Sequence, residues 1–243
     1  MKIIKYKKLK GSKYQIILDN NAPFVLHEKT IIDNDLLIKK EVEDILKLQE
    51  DDKKYDILDD AIKYLEHHVR CLSEMESYLQ KKGYSEADIN NCLTYLLKNK
   101  YLDDKIYSQS YVIDKINFSL DGPLKIVKYF EKMQIAKEDY SDALKLFNDD
   151  ILNEKITKVI NKAVRLNKGS KTMLKQKVVN NLINLGYDYD LINSRIDMID
   201  SVNDEDNFIK KKEQITKKLS SKYSGYELER KVKEKLYRLG YFK

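Results

Sequence analysis

A short motif that recurs four times constrains the fold of this chain more than any other sequence feature. Its first copy is Leu79-Gln80-Lys81-Lys82-Gly83-Tyr84, and degraded copies follow at residues 130–135, 182–187 and 236–241. The glycine position, which Gln134 occupies in the second copy, recurs after 51, 52 and 54 residues. Self-similarity at such a period is typical of repeat proteins, in which each small unit packs on its neighbours.

The motif contains the parts of a helix C-terminus. A glycine in the left-handed conformation often ends a helix, and in a Schellman motif the residue four positions before it contacts the residue after it. Leu79 and Tyr84 would form this pair in the first copy, and the later copies keep apolar residues at both positions. Gln134 lacks the ease of glycine at positive φ, so the second copy departs from the pattern.

Length and composition favour a helix-rich protein built from several small units. Of the 243 residues, 35% are charged and only 2 are proline and 7 glycine. No apolar run approaches the roughly 18 residues that a membrane helix needs, and the first residues lack an apolar signal segment. We therefore expect a cytoplasmic protein with no membrane partner. Cys71 and Cys92 have no metal-site spacing, and we expect both to be reduced and structural.

The first 54 residues differ from the rest and predict a small antiparallel hairpin or meander. Two turn-rich breaks separate three short runs with partial alternation, at residues 2–9, 13–18 and 23–27. A small sheet needs a packing partner. The expected partner is a helix over residues 38–48, with an apolar stripe of Val42, Ile45, Leu46 and Leu48. Residues 50–54 are interpreted as a polar linker.

From residue 55 onward, helical periodicity predicts tandem three-helix repeats in an elongated array. The expected repeats span residues 55–104, 105–150 and 151–203, and a partial repeat spans 204–243. The expected N-terminal caps of helices are Cys71 with its partner Glu74, Ser85, Asp103 or Asp104, Gly122 before Pro123, Ser170 and Ser224. Ser170 and Ser224 lie 16 residues before their glycines, compared with 12 for Cys71 and Gly122, so their helices should be about one turn longer.

The net basicity of the chain lies in its last third. Residues 151–243 carry 21 basic and 12 acidic side chains, whereas residues 1–60 and 61–150 are close to neutral. Within this third, residues 155–187 carry eight basic and no acidic side chains. Surface helices commonly mix both signs to form i,i+4 pairs. The segment is therefore a candidate contact for an acidic protein surface or for nucleic-acid phosphates, with a solvated helix face as the alternative.

The candidate binding residues fall into two groups. Lys155, Lys158, Lys162 and Arg165 share one face of a predicted helix, and the charge continues at Lys168, Lys171, Lys175 and Lys177. A second candidate group in the first repeat consists of Arg70, Lys81 and Lys82.

Little in the sequence indicates catalysis or metal binding. The chain has no phosphate-binding glycine loop with its lysine, no zincin spacing and no nucleophile elbow. His67 and His68 would point about 100° apart on a helix and have no third ligand spaced with them. We therefore expect a non-enzymatic protein without cofactor or metal. Some of the 18 tyrosines can stack on nucleic-acid bases, but most are expected to pack their rings inside.

An ordered set of residues resembles the signature of the RecX family, which regulates the RecA recombinase. The set comprises Ala61, Tyr64-Leu65, Arg70, Glu74-Met75, Tyr78-Leu79, Lys82-Gly83-Tyr84, Tyr101-Leu102-Asp103-Asp104, Tyr107-Ser108 and Tyr111-Val112. The resemblance is strongest over residues 61–135 and stays in register to residue 243. Three positions depart from the family pattern: Cys71 replaces a usual serine or threonine, the additional arginine that the pattern has near His68 is absent, and Lys100 replaces a usual glycine.

The resemblance implies a function as well as a fold. RecX proteins are curved arrays of three-helix repeats that lie in the groove of the RecA filament and oppose ATP hydrolysis and strand exchange. The implied partners are the RecA filament and single-stranded DNA, contacted directly or through RecA, in homologous recombination, DNA repair and the SOS response. A monomer is expected. Two alternatives stay open: a stand-alone nucleic-acid-binding protein that uses its basic last third, and a helical scaffold for another protein.

Overall fold

The N-terminus forms a small antiparallel sheet in the computed structural model, which describes residues 1–201 and 203–242. The strands are β1 (Ile3–Lys8), β2 (Lys13–Leu18) and β3 (Pro23–His27), and they lie in the order β1-β2-β3. Ile16 pairs with Tyr6 on one side and with Phe24 on the other. The predicted β-rich extension is confirmed.

One face of the sheet is covered by short helices and by the start of a long one. Alternate strand residues point to the same face, so Ile16, Leu18, Phe24 and Leu26 are buried together. Residues from helices α1 (Glu28–Asp33) and α2 (Leu36–Lys39), together with Val42 and Leu48, complete this core.

Helix α3 (Ile45–Leu65) corrects two predictions about the segment after the sheet. The predicted helix over residues 38–48 is interrupted, because Lys40 ends α2 with a φ of 50° and α3 begins only after Asp44, whose side chain accepts a hydrogen bond from Lys47 N–H at 3.0 Å. Leu46 is 78% exposed and so does not belong to the core. The predicted linker over residues 50–54 lies inside α3 and is wrong.

Asp52 explains why this polar stretch continues as a helix. Its carboxylate is buried and accepts hydrogen bonds from the backbone N–H of His27 (2.8 Å) and from the hydroxyl of Thr30, and it lies 2.8 Å from His27 Nδ1. A buried carboxylate is tolerated when its hydrogen bonds are made. Asp52 therefore fastens the end of the sheet to the middle of α3.

The remaining described chain is helical, which confirms the predicted mainly α class. The helices are α4 (Leu72–Lys81), α5 (Glu86–Lys98), α6 (Asp104–Phe118), α7 (Pro123–Lys132), α8 (Lys137–Leu144), α9 (Asp149–Arg165), α10 (Lys171–Leu185), α11 (Tyr189–Asn193), α12 (Glu205–Leu219) and α13 (Gly225–Arg238), with a 3₁₀ helix at Ile196–Ser201. Helices α10 and α13 have 15 and 14 residues, compared with 10 in α4 and α7, so the predicted difference of about one turn is confirmed.

All four copies of the recurring motif end a helix in the left-handed conformation. The φ angles are 86° at Gly83, 57° at Gln134, 85° at Gly186 and 80° at Gly240. In the first copy, the N–H of Tyr84 donates to the carbonyl of Leu79 at 3.4 Å and the N–H of Gly83 donates to that of Gln80 at 3.0 Å, which is the Schellman pattern. The third and fourth copies repeat both bonds.

The N-terminal caps follow the prediction with one exception. Ser85, Asp103 and Ser170 each accept a hydrogen bond from a backbone N–H in the first turn of their helix, at 3.2, 3.1 and 3.3 Å. Glu74 accepts a hydrogen bond from the N–H of Cys71 at 3.3 Å, as a capping box requires. Ser224 precedes α13 but makes no capping hydrogen bond, because Gly225 has a φ of 53° and interrupts a regular first turn.

The chain divides into two compact units. Unit 1 comprises Met1–Tyr107 and Met133–Ile135, and unit 2 comprises Ser108–Lys132 and Ala136–Lys243. Unit 1 holds the sheet core and a second core around Met75, Leu79 and Leu96. Unit 2 holds one core around Ile156, Val178 and Leu182 and another around Val232 and Leu236. The division into four repeats stays a prediction. Within the described residues, no helix has the length and apolar character needed to cross a membrane.

Candidate basic interface

Helix α9 carries the first part of the predicted basic segment. Asn148 caps its start by accepting a hydrogen bond from Ile151 N–H at 2.9 Å, and Ile156, Val159 and Ile160 are buried in the core of unit 2. The opposite side of the helix is open to solvent. Helix α9 therefore has a buried apolar side and an exposed side.

Lys155 does not lie on the exposed side, which corrects its assignment to the basic face. Its side chain is buried, and its ammonium donates to the carbonyl groups of Lys115 (3.2 Å), Ile116 (2.6 Å) and Ser119 (2.6 Å) at the end of α6. The last carbonyls of a helix generally lack a full set of partners within the helix, and a cation there is favoured by the helix dipole. Burial lowers the pKa of Lys155. This lysine therefore caps α6 from within unit 2.

The next three basic residues of α9 are exposed. Lys158 forms an ion pair with Glu154 one turn earlier, and this pairing lowers the pKa of Glu154. Within the part of the chain that the structure describes, Lys162 and Arg165 make neither a hydrogen bond nor an ion pair through their side chains. The last turn of α9 thus presents two cations to solvent.

Two lysines of α10 contact residues that follow α10 in the sequence, and one of them, Lys175, is neutralised by carboxylates. Lys175 Nζ lies 3.3 Å from Asp197 Oδ1 and 3.5 Å from Asp200 Oδ2. The ammonium of Lys171 donates to the backbone carbonyl of Asp200 at 3.0 Å. The backbone N–H of Lys171 donates to the carboxylate of Asp204 at 2.7 Å. The acidic residues missing from the basic segment are therefore supplied by the tertiary fold.

Four cations of the predicted segment remain without partners in the described structure. Lys168 lies in the loop after α9, and Lys177 lies on α10. Together with the two cations at the end of α9 they form what we call the unpaired basic surface: Lys162, Arg165, Lys168 and Lys177.

The candidate residues of unit 1 contact tyrosines and a carboxylate. The guanidinium of Arg70 lies 4.4 Å from the centre of the Tyr64 ring. Tyr64 stacks on Tyr78 with 4.0 Å between ring centres, and Lys82 Nζ lies 5.5 Å from the Tyr78 ring and 3.4 Å from Asp60. Lys81 is exposed and has no such contact among the described residues. Arg70 and Lys82 therefore belong to a packed cation–aromatic cluster, whereas Lys81 is an exposed cation.

Other tyrosines also pack against protein groups. Tyr111 stacks on Tyr129 with 4.4 Å between ring centres. Tyr187 is 2% exposed, and its hydroxyl donates to the carbonyl of Leu120 at 3.0 Å, while the hydroxyl of Tyr84 donates to Asp60 at 2.9 Å. These tyrosines therefore make their contacts within the protein.

A cleft of about 560 Å³ in unit 2 adds residues that the sequence did not single out. We call it the unit 2 cleft; α9, α10, α12 and the segment after α13 contribute to it. Lys168 and Lys177 line it together with Lys211 and Tyr241. Lys211 lies 34 residues after Lys177, so no local spacing could have joined them. No three His, Cys, Asp or Glu side chains of residues 1–201 and 203–242 are grouped to hold a metal ion.

Comparison with known proteins gives a consistent result along the chain. Residues 58–96 match the family model described as RecX, first three-helix domain. The regulatory protein RecX of Oceanobacillus iheyensis is 28% identical over 90% of this chain and 83% of its own length, and that of Halalkalibacterium halodurans is 26% identical over 98% and 94%.

Solved structures agree with these sequence relatives. A crystal structure of regulatory protein RecX matches with a TM-score of 0.70 and 26% identity, covering 81% of this chain and 98% of that one. RecX from Lactobacillus salivarius matches with a TM-score of 0.56 and 28% identity, covering 62% and 99%. The relatives bear the name of a regulatory protein, which confirms the predicted non-enzymatic class. This chain belongs to the RecX family of regulatory proteins.

Proposed function

We propose that this protein binds the RecA filament on DNA and lowers its ATPase and strand-exchange activity. Membership of the RecX family along almost the whole chain is the observation that carries this proposal. The unpaired basic surface of unit 2 supports it, because unpaired cations favour contact with DNA phosphates or acidic protein groups.

Such a regulator acts through binding energy and needs no chemistry of its own. A ligand shifts an equilibrium only by its difference in affinity for the two states. If the protein binds a filament state that hydrolyses ATP slowly better than the active state, it lowers the rate without touching the nucleotide. If the protein binds shorter filaments better than longer ones, the same difference in affinity shortens the filament lifetime.

The test of this proposal is the single-stranded-DNA-dependent ATPase of RecA, titrated with this protein. The rate of ATP hydrolysis should fall when this protein is present in substoichiometric or near-stoichiometric amounts relative to RecA. Bovine serum albumin at equal concentration is the control for added protein. An unchanged rate together with an unchanged filament lifetime would reject the proposal.

The charge distribution favours one second candidate, a stand-alone nucleic-acid-binding protein. The last third of the chain carries 21 basic and 12 acidic side chains, and its unpaired cations can neutralise phosphates. This candidate requires tight binding to bare single-stranded DNA, with an affinity that falls steeply as salt rises. Weak binding that does not respond to salt would exclude it and leave the filament proposal in place.

A further inference from the structure

The unit 2 cleft is a concave site with an unusual balance of charge. Its cations are Lys168 from the loop after α9, Lys177 from α10 and Lys211 from α12. None of the residues that line it is acidic, and none of the three ammonium groups makes an ion pair or hydrogen bond with the described residues. Three like charges around one cleft repel each other unless an anion is present.

One residue that lines the cleft, Tyr241, has a buried hydroxyl without a hydrogen-bond partner among the described residues. Tyr241 is 4% exposed, and its hydroxyl makes no hydrogen bond with the described residues. Buried polar atoms in folded proteins nearly always have a hydrogen-bond partner, so this hydroxyl calls for one from outside the chain. Burial and the nearby carboxylate of Asp204 raise the pKa of Tyr241, so the hydroxyl keeps its proton and stays a donor.

The remaining lining residues suit the organic part of a small ligand. Leu166 is 63% exposed and Met173 is 38% exposed, and both line the cleft, as does Asn181. The volume of about 560 Å³ lies within the range of small-molecule sites, which are commonly about 300–1,000 Å³. Apolar side chains next to a cluster of donors match a molecule with an anionic end and a flat or apolar body.

We propose that the unit 2 cleft binds a phosphate group of a nucleotide unit, supplied either by a free nucleotide or by a single nucleic-acid strand. Lys168, Lys177 and Lys211 would neutralise the phosphate charge, the Tyr241 hydroxyl would donate to a phosphate oxygen, and Leu166 and Met173 would contact the base or sugar. This inference does not depend on RecA. Its test contains no recombinase, so either proposal can fail without the other.

Binding is measured on the full chain with three probes of defined chemistry. A fluorescein-labelled 12-mer of thymidylate reports strand binding by anisotropy, ATP reports free-nucleotide binding by calorimetry, and a 12-mer of glutamate tests a generic acidic peptide. Binding of either phosphate probe supports the proposal and identifies the source of the phosphate. Failure of both phosphate probes, or equal affinity for the glutamate peptide, overturns it.

A pair of neighbouring lysines supplies the matched control. Lys211 lines the cleft, whereas Lys210 is exposed on the same helix and does not. Lys211→Gln should weaken binding of the responding probe about five- to tenfold and lower its salt slope by about one. Lys210→Gln removes the same charge and should change affinity less than about twofold. Equal effects of the two substitutions would show a diffuse charge effect and overturn the proposal.

Tyr241→Phe separates a ligand-binding hydroxyl from a structural one. The substitution removes only an unpartnered hydroxyl, so the thermal unfolding midpoint should stay unchanged or rise. Affinity for the phosphate probe should nevertheless fall about threefold or more. Unchanged affinity in this folded variant would contradict the role given to the hydroxyl and overturn the proposed site.

Discussion

Lys155 joins two helices through its ammonium group. It belongs to α9, but it donates to three carbonyl groups at the end of α6. Removal of the ammonium takes one donor from each of these carbonyls. The carbonyl of Lys115 keeps the N–H and the hydroxyl of Ser119 as donors, whereas an acceptor left unsatisfied away from water costs about 1–3 kcal/mol. The lysine therefore acts as a structural cap, and the charge that it brings is not available to a partner.

We expect Lys155→Met to lower the free energy of unfolding by about 2–3 kcal/mol, because it keeps the apolar volume and removes the donor. Lys158→Met is the matched control, since Lys158 forms only an exposed pair with Glu154, and its effect should stay within about 0.5 kcal/mol. Urea unfolding followed by circular dichroism measures both. Equal losses in the two variants would contradict the capping role.

The same residue predicts a pH effect with a defined sign. Burial lowers the pKa of Lys155 below its ordinary value of 10.5, so between the folded and unfolded pKa values the unfolded chain binds more protons. Wild type should therefore gain stability relative to Lys155→Met as pH rises toward the ordinary lysine value of 10.5. A difference that shrinks over this range would contradict the direction of the pKa shift.

The two cysteines should be unreactive in the folded protein. Cys71 and Cys92 are free and buried, and burial raises the pKa of each thiol to about 11. Because the thiolate is the reactive form, labelling by a disulfide reagent at pH 8 should be at least about 100-fold slower than in the unfolded chain. Stopped-flow absorbance measures both rates, and single Cys→Ala variants assign them. Rapid labelling of either folded thiol would contradict its burial.

At the scale of elements, two glycines allow helices α7 and α10 to meet end to end. The N–H of Gly122 donates to the carbonyl of Leu185 at 2.6 Å, and the N–H of Leu124 donates to that of Gly186 at 3.0 Å. The free donors at the start of α7 thus satisfy the free acceptors at the end of α10. A Cβ at Gly186 would lie 2.3 Å from the backbone nitrogen of Lys125, so the approach requires glycine.

This contact predicts a large difference between two glycines that have the same backbone angle. Gly83→Ala should lower the free energy of unfolding by about 1–2 kcal/mol, because φ is 86° and alanine is strained there. A Cβ at this position meets no atom within 4 Å, so no collision adds to this cost. Gly186→Ala should cost about 1–3 kcal/mol more, because the Cβ also collides with Lys125. Thermal unfolding measures both variants. Similar losses in the two would show that α7 and α10 tolerate separation.

Sequence patterns predicted the ends of elements better than their continuity. The leucine, glycine and tyrosine of the recurring motif are the parts of a Schellman cap, and those caps form. Gln134 and Lys100 also adopt φ angles of 57° and 59°, so the tertiary fold overrides the local preference for glycine at two places. The break predicted at residues 50–54 failed because Asp52 finds its partners in a strand and helix far away in sequence.

At the scale of the whole molecule, charge compensation decides which basic residues remain available. The partners of Lys155 and Lys175 lie 22 to 40 residues away in sequence, so a scan of the segment alone counted both as free. The local sequence indicated all eight basic residues of the segment, and five of them are exposed: Lys158, Lys162, Arg165, Lys168 and Lys177. It could not find Lys211 or Tyr241, which join the cleft only in the folded chain.

Family membership and the remaining cations lead to one account of function. A RecX-family chain with a basic surface left unpaired in the described part of unit 2 is suited to act by binding. If that surface makes the regulatory contact, reversing its charge must weaken regulation while the helical content stays the same. Reversing an equal number of charges elsewhere on unit 2 must leave the regulation unchanged.

The most direct test is the rate of RecA ATP hydrolysis on single-stranded DNA with rising amounts of three proteins. These are wild type, the double variant Lys162→Glu with Arg165→Glu, and a control that reverses the exposed Lys128 and Lys132 of α7. We predict that wild type and the control lower the rate equally, and that the double variant needs about tenfold more protein for the same effect. A RecA rate that does not respond to the wild-type protein would contradict the account.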